Sequence, residues 1–203
     1  MTKQYSTGNG YPQNPAFNAV NFRINTPTLI TNTVSGKSRR VGMGHSFYTF
    51  TVKYAALTRY EYGPIAGYIS QLYGPMESFE IIVPEMSYSK VGNQTTSTVT
   101  TSAAVLAGVD SVPVTGVTTG KNLLRAGDFF KFSNHSKVYM CATTWTAGNP
   151  LYFSGSLVKD VPSGTSIVYN EVPFTCILDN TVQEFSVGVG GITQVQLDLK
   201  ETW

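Results

Sequence analysis

Charge is scarce in this sequence. Lys, Arg, Asp and Glu make up 13 % of its 203 residues, against roughly 25 % in an average soluble domain. The first 60 residues hold no acid: Lys3, Arg23, Lys37, Arg39, Arg40, Lys53 and Arg59 all precede Glu61. Cysteine is limited to Cys141 and Cys176, and histidine to His45 and His135. So few thiols and imidazoles exclude a disulfide scaffold and a spaced Cys/His zinc cluster. Both cysteines lie in apolar runs and are expected as buried free thiols. No apolar run approaches the ~20 residues of a membrane-spanning helix, so this chain is not expected to insert into a membrane. Residues 1–10 lack the apolar centre of a secretory signal and read as a polar arm.

What is present is enough for a core. The apolar residues reach 41 %, with 12 Tyr, 11 Phe and 2 Trp, which argues against intrinsic disorder. A chain of this length buries about 70 % of its extended surface. The charge is split along the chain. Residues 1–60 carry +7, whereas 61–203 carry seven bases and twelve acids, a net of −5. Such a dipole can be neutralised within the molecule, between copies, or by an acidic partner.

Residues 17–25 alternate around Val20, Phe22 and Ile24, and 28–34 form a β-branched run ending in the Ser35-Gly36 turn. The longest strand candidate is 39–54. It has apolar side chains on both faces, Phe47 on one and Tyr48, Phe50, Val52 and Tyr54 on the other, so both faces are expected to be covered. One helix is well specified. Thr58 and Glu61 form a capping box, with Leu57 and Tyr62 at staple positions. Tyr62, Ile65, Ala66, Ile69, Leu72 and Tyr73 follow the 3.6-residue period, and Gly74-Pro75 supply a left-handed cap and a stop. A strand over 78–84 follows.

Composition then shifts. Residues 94–120 are rich in Thr, Ser, Val and Ala with Asp110 as the only charge, which suits strands joined by small-residue turns. Further short strands are expected at 129–132, 137–143, 151–153 and 167–169, the number expected of a small barrel. Two strands close the chain, 172–178 and 193–200, the second with clean apolar/polar alternation. Gly188-Val189-Gly190-Gly191 is a turn without the strand–helix context of a phosphate loop. The expected organisation is mainly β: a discontinuous β-sandwich of 1–93 and 171–203 with one α-helix, interrupted by an inserted OB-like barrel at 94–170. Insertion requires that the two crossing points be close in space.

Catalytic and metal signatures are missing from the pattern. Neither histidine has a partner at ligand spacing, and no G-x-S-x-G elbow occurs. Asn93-Gln94-Thr95 and Asn134-His135-Ser136 match the glycosylation sequon at the rate expected by chance in an Asn/Thr-rich chain. Lys131, Lys137, Phe130, Phe132, Tyr139 and Trp145 mix bases with aromatics as a single-strand binder does. The five bases and three acids of 94–170 leave that region with only +2, weak for a phosphate-tracking groove. No cofactor, metal, catalytic residue or specific nucleic acid is therefore expected.

The run Phe17-Asn18-Ala19-Val20-Asn21-Phe22, the hairpin to Tyr54, the helix to Tyr73 and the strand ending at Pro84 resemble the distal tail proteins of long-tailed (siphovirus) bacteriophages. So do Arg125-Ala126-Gly127-Asp128-Phe129-Phe130-Lys131-Phe132, the segment on to Tyr139, and Val172-Pro173-Phe174-Thr175. The resemblance implies a non-enzymatic virion protein at the tail tip, made in the bacterial host cytoplasm. It further implies a β-sandwich belt domain with a helix and an inserted side domain, OB-like in one branch. Its partners would be its own copies in a six-membered ring around the channel, the tail tube protein, the baseplate hub protein and side-fibre proteins.

Within this frame Lys37, Arg39, Arg40, Phe47, Tyr48 and Phe50 are candidates for a subunit interface. His135, Trp145 and Tyr152 are candidates for docking a partner on the insert. A ring subunit enclosed by others should carry few ions, because burying an unpaired charge costs several kcal/mol. The competing class is a binding module, an OB-type single-strand binder or a glycan-binding β-domain using Trp145 or Tyr152. An enzyme is the third class.

Overall fold

The computed structural model describes residues 15–42, 44–89, 95–188 and 191–203. The polar arm and the Asn93 sequon position lie outside them, as do two residues of the glycine turn at 188–191. Among the described residues the chain is mainly β with one α-helix.

A six-stranded sheet forms the first layer. Its strands are β1 (Ala19–Asn25), β4 (Phe47–Lys53), β5 (Phe79–Ile82), β15 (Pro173–Leu178), β16 (Phe185–Val187) and β17 (Thr193–Glu201). The order is β1-β4-β17-β15-β5, with β16 paired to the start of β17. Every pairing is antiparallel, and Phe50 sits between Phe22 of β1 and Leu199 of β17. Between β1 and β4 the chain makes a separate ribbon, β2 (Thr28–Asn32) with β3 (Ser38–Gly42). The single long strand expected over 39–54 is thus two. The break falls beside Gly44, whose φ of 90° ends the extended path.

Helix α1 (Arg59–Gln71) packs on this sheet, and a 3₁₀ turn follows at Gly74–Met76. The capping box forms: the Glu61 carboxylate accepts from the Thr58 backbone N–H and hydroxyl, both at 2.8 Å. Those bonds hold the Glu61 carboxyl below the usual carboxylate range. Ile65, Ile69 and Leu72 are buried as the period requires, joined by Tyr68. Tyr73 is not part of that face. It takes the left-handed conformation itself (φ 51°), one residue ahead of Gly74, and is exposed.

Residues 95–168 build the second layer. Here lie β6 (Thr95–Thr101), β7 (Ser111–Val112), β8 (Val114–Val117), β9 (Asn122–Leu124), β10 (Phe129–Phe132), β11 (Val138–Met140), β12 (Trp145–Thr146), β13 (Leu151–Tyr152) and β14 (Ile167–Val168). They pair as β11-β10-β14, β6-β8, β9-β12 and β7-β13. The closed barrel expected from the sequence is not formed among the described residues. Four of these strands are only two residues long, and left-handed glycines at 116, 120, 127, 148, 155 and 164 cut the ladders short. The chain enters and leaves this layer side by side: Tyr88 bridges Asn170, and Val172 N–H donates to the Ser87 carbonyl at 3.0 Å.

Two hydrophobic cores result, and the β10–β11 hairpin separates them. Phe129 and Val138 are buried in the core formed with Tyr48, Phe50, Phe174 and Leu199. Their neighbours Phe130, Phe132 and Tyr139 belong to the other core, with Leu151, Phe153 and Val161. Alternate residues of one hairpin therefore serve different cores, because successive strand side chains point to opposite faces.

Among the described glycines, Gly116 leaves the least room for a side chain. Its φ is 99°, and a Cβ there would lie 2.5 Å from the Thr98 carbonyl oxygen. Gly116→Ala is expected to destabilise the fold by more than about 1 kcal/mol. Gly36→Ala, at a similar positive φ but with open space around it, should cost less. Chemical denaturation of both variants measures the difference.

Candidate docking surfaces and the joint between the cores

The β2–β3 ribbon is the most exposed element described. Every residue of both strands faces solvent. Leu29, Ile30 and Val41 are 51–60 % exposed, and Val34 at the tip is fully exposed. Register places Leu29 opposite Val41, Ile30 opposite Arg40 and Thr31 opposite Arg39. The turn is closed by Thr33, whose hydroxyl donates to the Lys37 carbonyl at 3.0 Å. Apolar and basic side chains thus alternate around a two-stranded ribbon, with Lys37, Arg39 and Arg40 and no acid among them. A ribbon of that kind is marginal in water by itself.

Three of the interface candidates therefore lie where a partner can reach them. Tyr48 and Phe50 do not. They are 2 % and 1 % exposed, and their rings pack against Phe174 at 6.1 and 5.0 Å. Contrary to the expectation that both faces of β4 are covered, only the Tyr48, Phe50 and Val52 face is buried, by the chain's own core; Thr49 and Thr51 on the other face are half-buried and line an open cleft. Phe47 is half-buried at the start of the strand, with Lys200 Nζ 4.8 Å from its ring centre.

The other face of the main sheet is polar. Asn18, Lys53, Asn180, Gln194, Gln196 and Asp198 line an open cleft of about 600 Å³. It continues past Arg23, Thr49 and Thr51. Asp198 accepts from the Thr51 hydroxyl at 2.7 Å and the Asn180 amide at 3.3 Å.

Across the molecule the two cores are joined by one carboxylate. Glu201, the last residue of β17, is 2 % exposed. One oxygen accepts from Lys137 Nζ at 2.5 Å and from the Tyr48 N–H at 3.1 Å; the other accepts from the Val138 N–H at 3.0 Å. Lys137 is 3 % exposed and lies over the rings of Tyr48 and Trp203, at 4.6 and 4.5 Å. Burial pushes the Glu201 carboxyl up and the Lys137 ammonium down, and each partner's charge opposes the other's shift. Smaller ties add to this joint: Ser156 with His45 at 3.0 Å, Ser89 Oγ to the Leu123 carbonyl at 2.6 Å, and Lys131 with Glu80 at 3.5 Å.

Of the residues proposed to dock partners on the insert, only Tyr152 is exposed, at 46 %. Trp145 is 2 % exposed, and its indole N–H donates to the Asn149 carbonyl at 2.7 Å. It fills the second core and cannot stack on a sugar or base. His135 is half-buried in a relay: Val158 N–H donates to Tyr139 Oη, which pairs with His135 Nε2 at 2.9 Å, while Nδ1 pairs with Asn134 Oδ1 at 2.7 Å. The Asn134 amide nitrogen donates to the Asp160 carbonyl, so Oδ1 is the acceptor and His135 carries its proton on Nδ1. Burial first, then Lys159, Lys131 and Lys137, pull its pKa down to about 4.

Both cysteines are buried and free. Burial pushes the Cys141 thiol up to about 11 and Cys176 well above its usual value, so neither supplies a thiolate at neutral pH. Among the described residues no three His, Cys, Asp or Glu side chains gather as a metal site. No protein-family model matches the chain, and no curated protein matches it.

Lys137→Met leaves the Glu201 charge buried without its counter-ion and should cost about 3–5 kcal/mol. In that variant the carboxyl pKa rises further, so the folded state keeps a proton that the unfolded chain has released. Stability then falls as pH climbs out of the ordinary carboxylate range. Thermal melts should show a larger deficit at about pH 7 than at about pH 5. Adding Glu201→Gln, which keeps an acceptor for Tyr48 and Val138, should recover part of it.

His135 has the opposite sign. Its folded pKa lies below the unfolded value, so the stability it contributes is present above about pH 6.5 and is lost as pH falls toward about 4. An NMR titration should find the imidazole neutral at pH 5.5. A midpoint near the ordinary histidine value would contradict the relay.

Proposed function

We propose that this chain is a structural subunit of a ring at the distal end of a long-tailed bacteriophage tail, joining the tail tube to the baseplate hub. The observation that carries the reading is the β2–β3 ribbon, an apolar and basic projection with no cover among the described residues. A subunit that meets identical neighbours through two different surfaces needs such a feature. The interrupted order of the chain also supports it, since the side layer is inserted between β5 and β15 with its entry and exit side by side. In this reading the amide-rich face of β1, β4 and β17 borders the channel, where a wet polar surface suits a passage for other molecules. The second layer points outward, and Tyr152 with the exposed Leu106 offers side fibres a contact. The chemistry is assembly rather than catalysis.

Negative-stain imaging and light scattering of the purified chain, alone and mixed with its tube and hub proteins, test this. Rings, or defined complexes with either partner, are expected. A particle that stays single at all concentrations and binds neither would overturn the reading, and binding of oligonucleotide with a steep salt dependence would favour a nucleic-acid module instead.

A further inference from the structure

The ribbon has a complementary surface on β5, the strand at the end of the main sheet farthest from β1. Strand β5 closes the sheet order four strands away from β1, a separation of about 19 Å at ~4.8 Å per strand. Its buried Phe79 and Ile81 alternate with half-buried Glu80 and Ile82. Beside it Pro173 stands opposite Ile82, preceded by exposed Glu171. Glu80, Ile82, Glu171 and Pro173 line a shallow cleft of about 160 Å³, half apolar and half acidic. The ribbon mixes the same two characters with the other sign: Leu29, Ile30 and Val41 beside Lys37, Arg39 and Arg40. Glu80 already meets Lys131 at 3.5 Å, which leaves Glu171 as the main acceptor.

We propose that the β2–β3 ribbon of one copy docks on the β5 edge of a second copy, with Arg39 and Arg40 against Glu171 and Glu80 and the ribbon's apolar side chains against Ile82 and Pro173. Charge complementarity selects a second copy as the occupant, because the basic ribbon and the acidic β5 edge belong to one chain, the ribbon joined to the sheet through β1 and β4 and the edge formed by its last strand. The contact is heterologous, so it repeats from copy to copy. It rests on the ring reading above and specifies which surfaces meet.

Glu171 has a backbone feature that separates folding from docking. Its φ is 51° in a non-glycine residue, a left-handed conformation that is strained for any residue with a Cβ. Glu171→Gly relieves that strain while removing the carboxylate. The variant should be at least as stable as the native chain and yet associate less.

The deciding experiment uses two charge-reversed full-length chains in sedimentation velocity at low salt. Arg39→Glu with Arg40→Glu makes both surfaces acidic; Glu80→Lys with Glu171→Lys makes both basic. Each alone should lose association at least tenfold, and Glu171→Gly severalfold with its melting temperature unchanged or raised. An equimolar mixture of the two reversed chains should recover association, since each ribbon now finds an oppositely charged edge. Unchanged association in either reversed chain, or no recovery on mixing, overturns this pairing; if the native chain still forms rings or binds tube or hub, the ring reading survives that failure. A native chain that neither associates nor binds tube or hub overturns both.

Discussion

The arrangement of the two cores depends on the buried carboxylate of Glu201. A charge at that depth is tolerated only if its lone pairs are filled, because desolvation costs several kcal/mol per ion. The donors come from three places: the Tyr48 amide in β4, the Val138 amide in β11, and the Lys137 ammonium just before β11. Any other seating of the second layer would leave the carboxylate without two of these. Apolar contact alone tolerates sliding, since it is non-directional. The ion pair therefore sets register as much as stability, a use of buried charge that is well attested where one arrangement must win over near neighbours.

That joint works because the β10–β11 hairpin serves two cores at once. Phe129 packs edge-on against Phe22, Tyr48 and Phe174, each about 5.5 Å away. One residue on, Phe130 meets Tyr139 and Phe153 of the second core at 5.9 and 6.0 Å. A barrel strand would turn one face to its own interior and the other to solvent. This hairpin turns neither face to solvent, so the second layer has no need to close on itself. It completes its burial against the main sheet.

These two features differ in how far local sequence reveals them. Helix α1 was readable because its signals are local: the capping box spans the four residues Thr58 to Glu61 and the apolar period a dozen. Strand β17 was readable for the same reason, its alternation surviving intact from Thr193 to Glu201. The run Phe129-Phe130-Lys131-Phe132 announces cover on both faces, but not that the two covers are different cores. Lys137 and Glu201 are 64 residues apart, and either could have been a surface charge; no local pattern distinguishes them. Trp145 misled for a related reason. An aromatic beside turns looks available for stacking until the partner for its N–H, Asn149, is known. The exposed basic stretch of Lys37, Arg39 and Arg40 was legible because a run of bases without acids is visible in one dimension. Tyr48 and Phe50 were not, because an apolar face says only that something covers it.

The scarcity of charge and the rigidity of the joint bear on one another. Of the few ionisable groups, one pair is spent inside at Lys137 and Glu201, where it fixes the relative placement of the layers. Three bases stand together on the ribbon, which carries no acid on either strand. A self-complementary chain with contacts at opposite ends of a flexible body would form open strings of variable curvature. Whether repetition closes depends on a constant angle between successive copies. In the proposed assembly that angle would be set by the ladder from β1 to β5, whose apolar face is packed by both α1 and the β10–β11 hairpin that Glu201 anchors, while its other face stays open and polar. If the chain assembles as proposed, internal order is a condition for external order: a loosened joint would disturb the geometry of assembly even with every residue of the proposed docking surfaces in place.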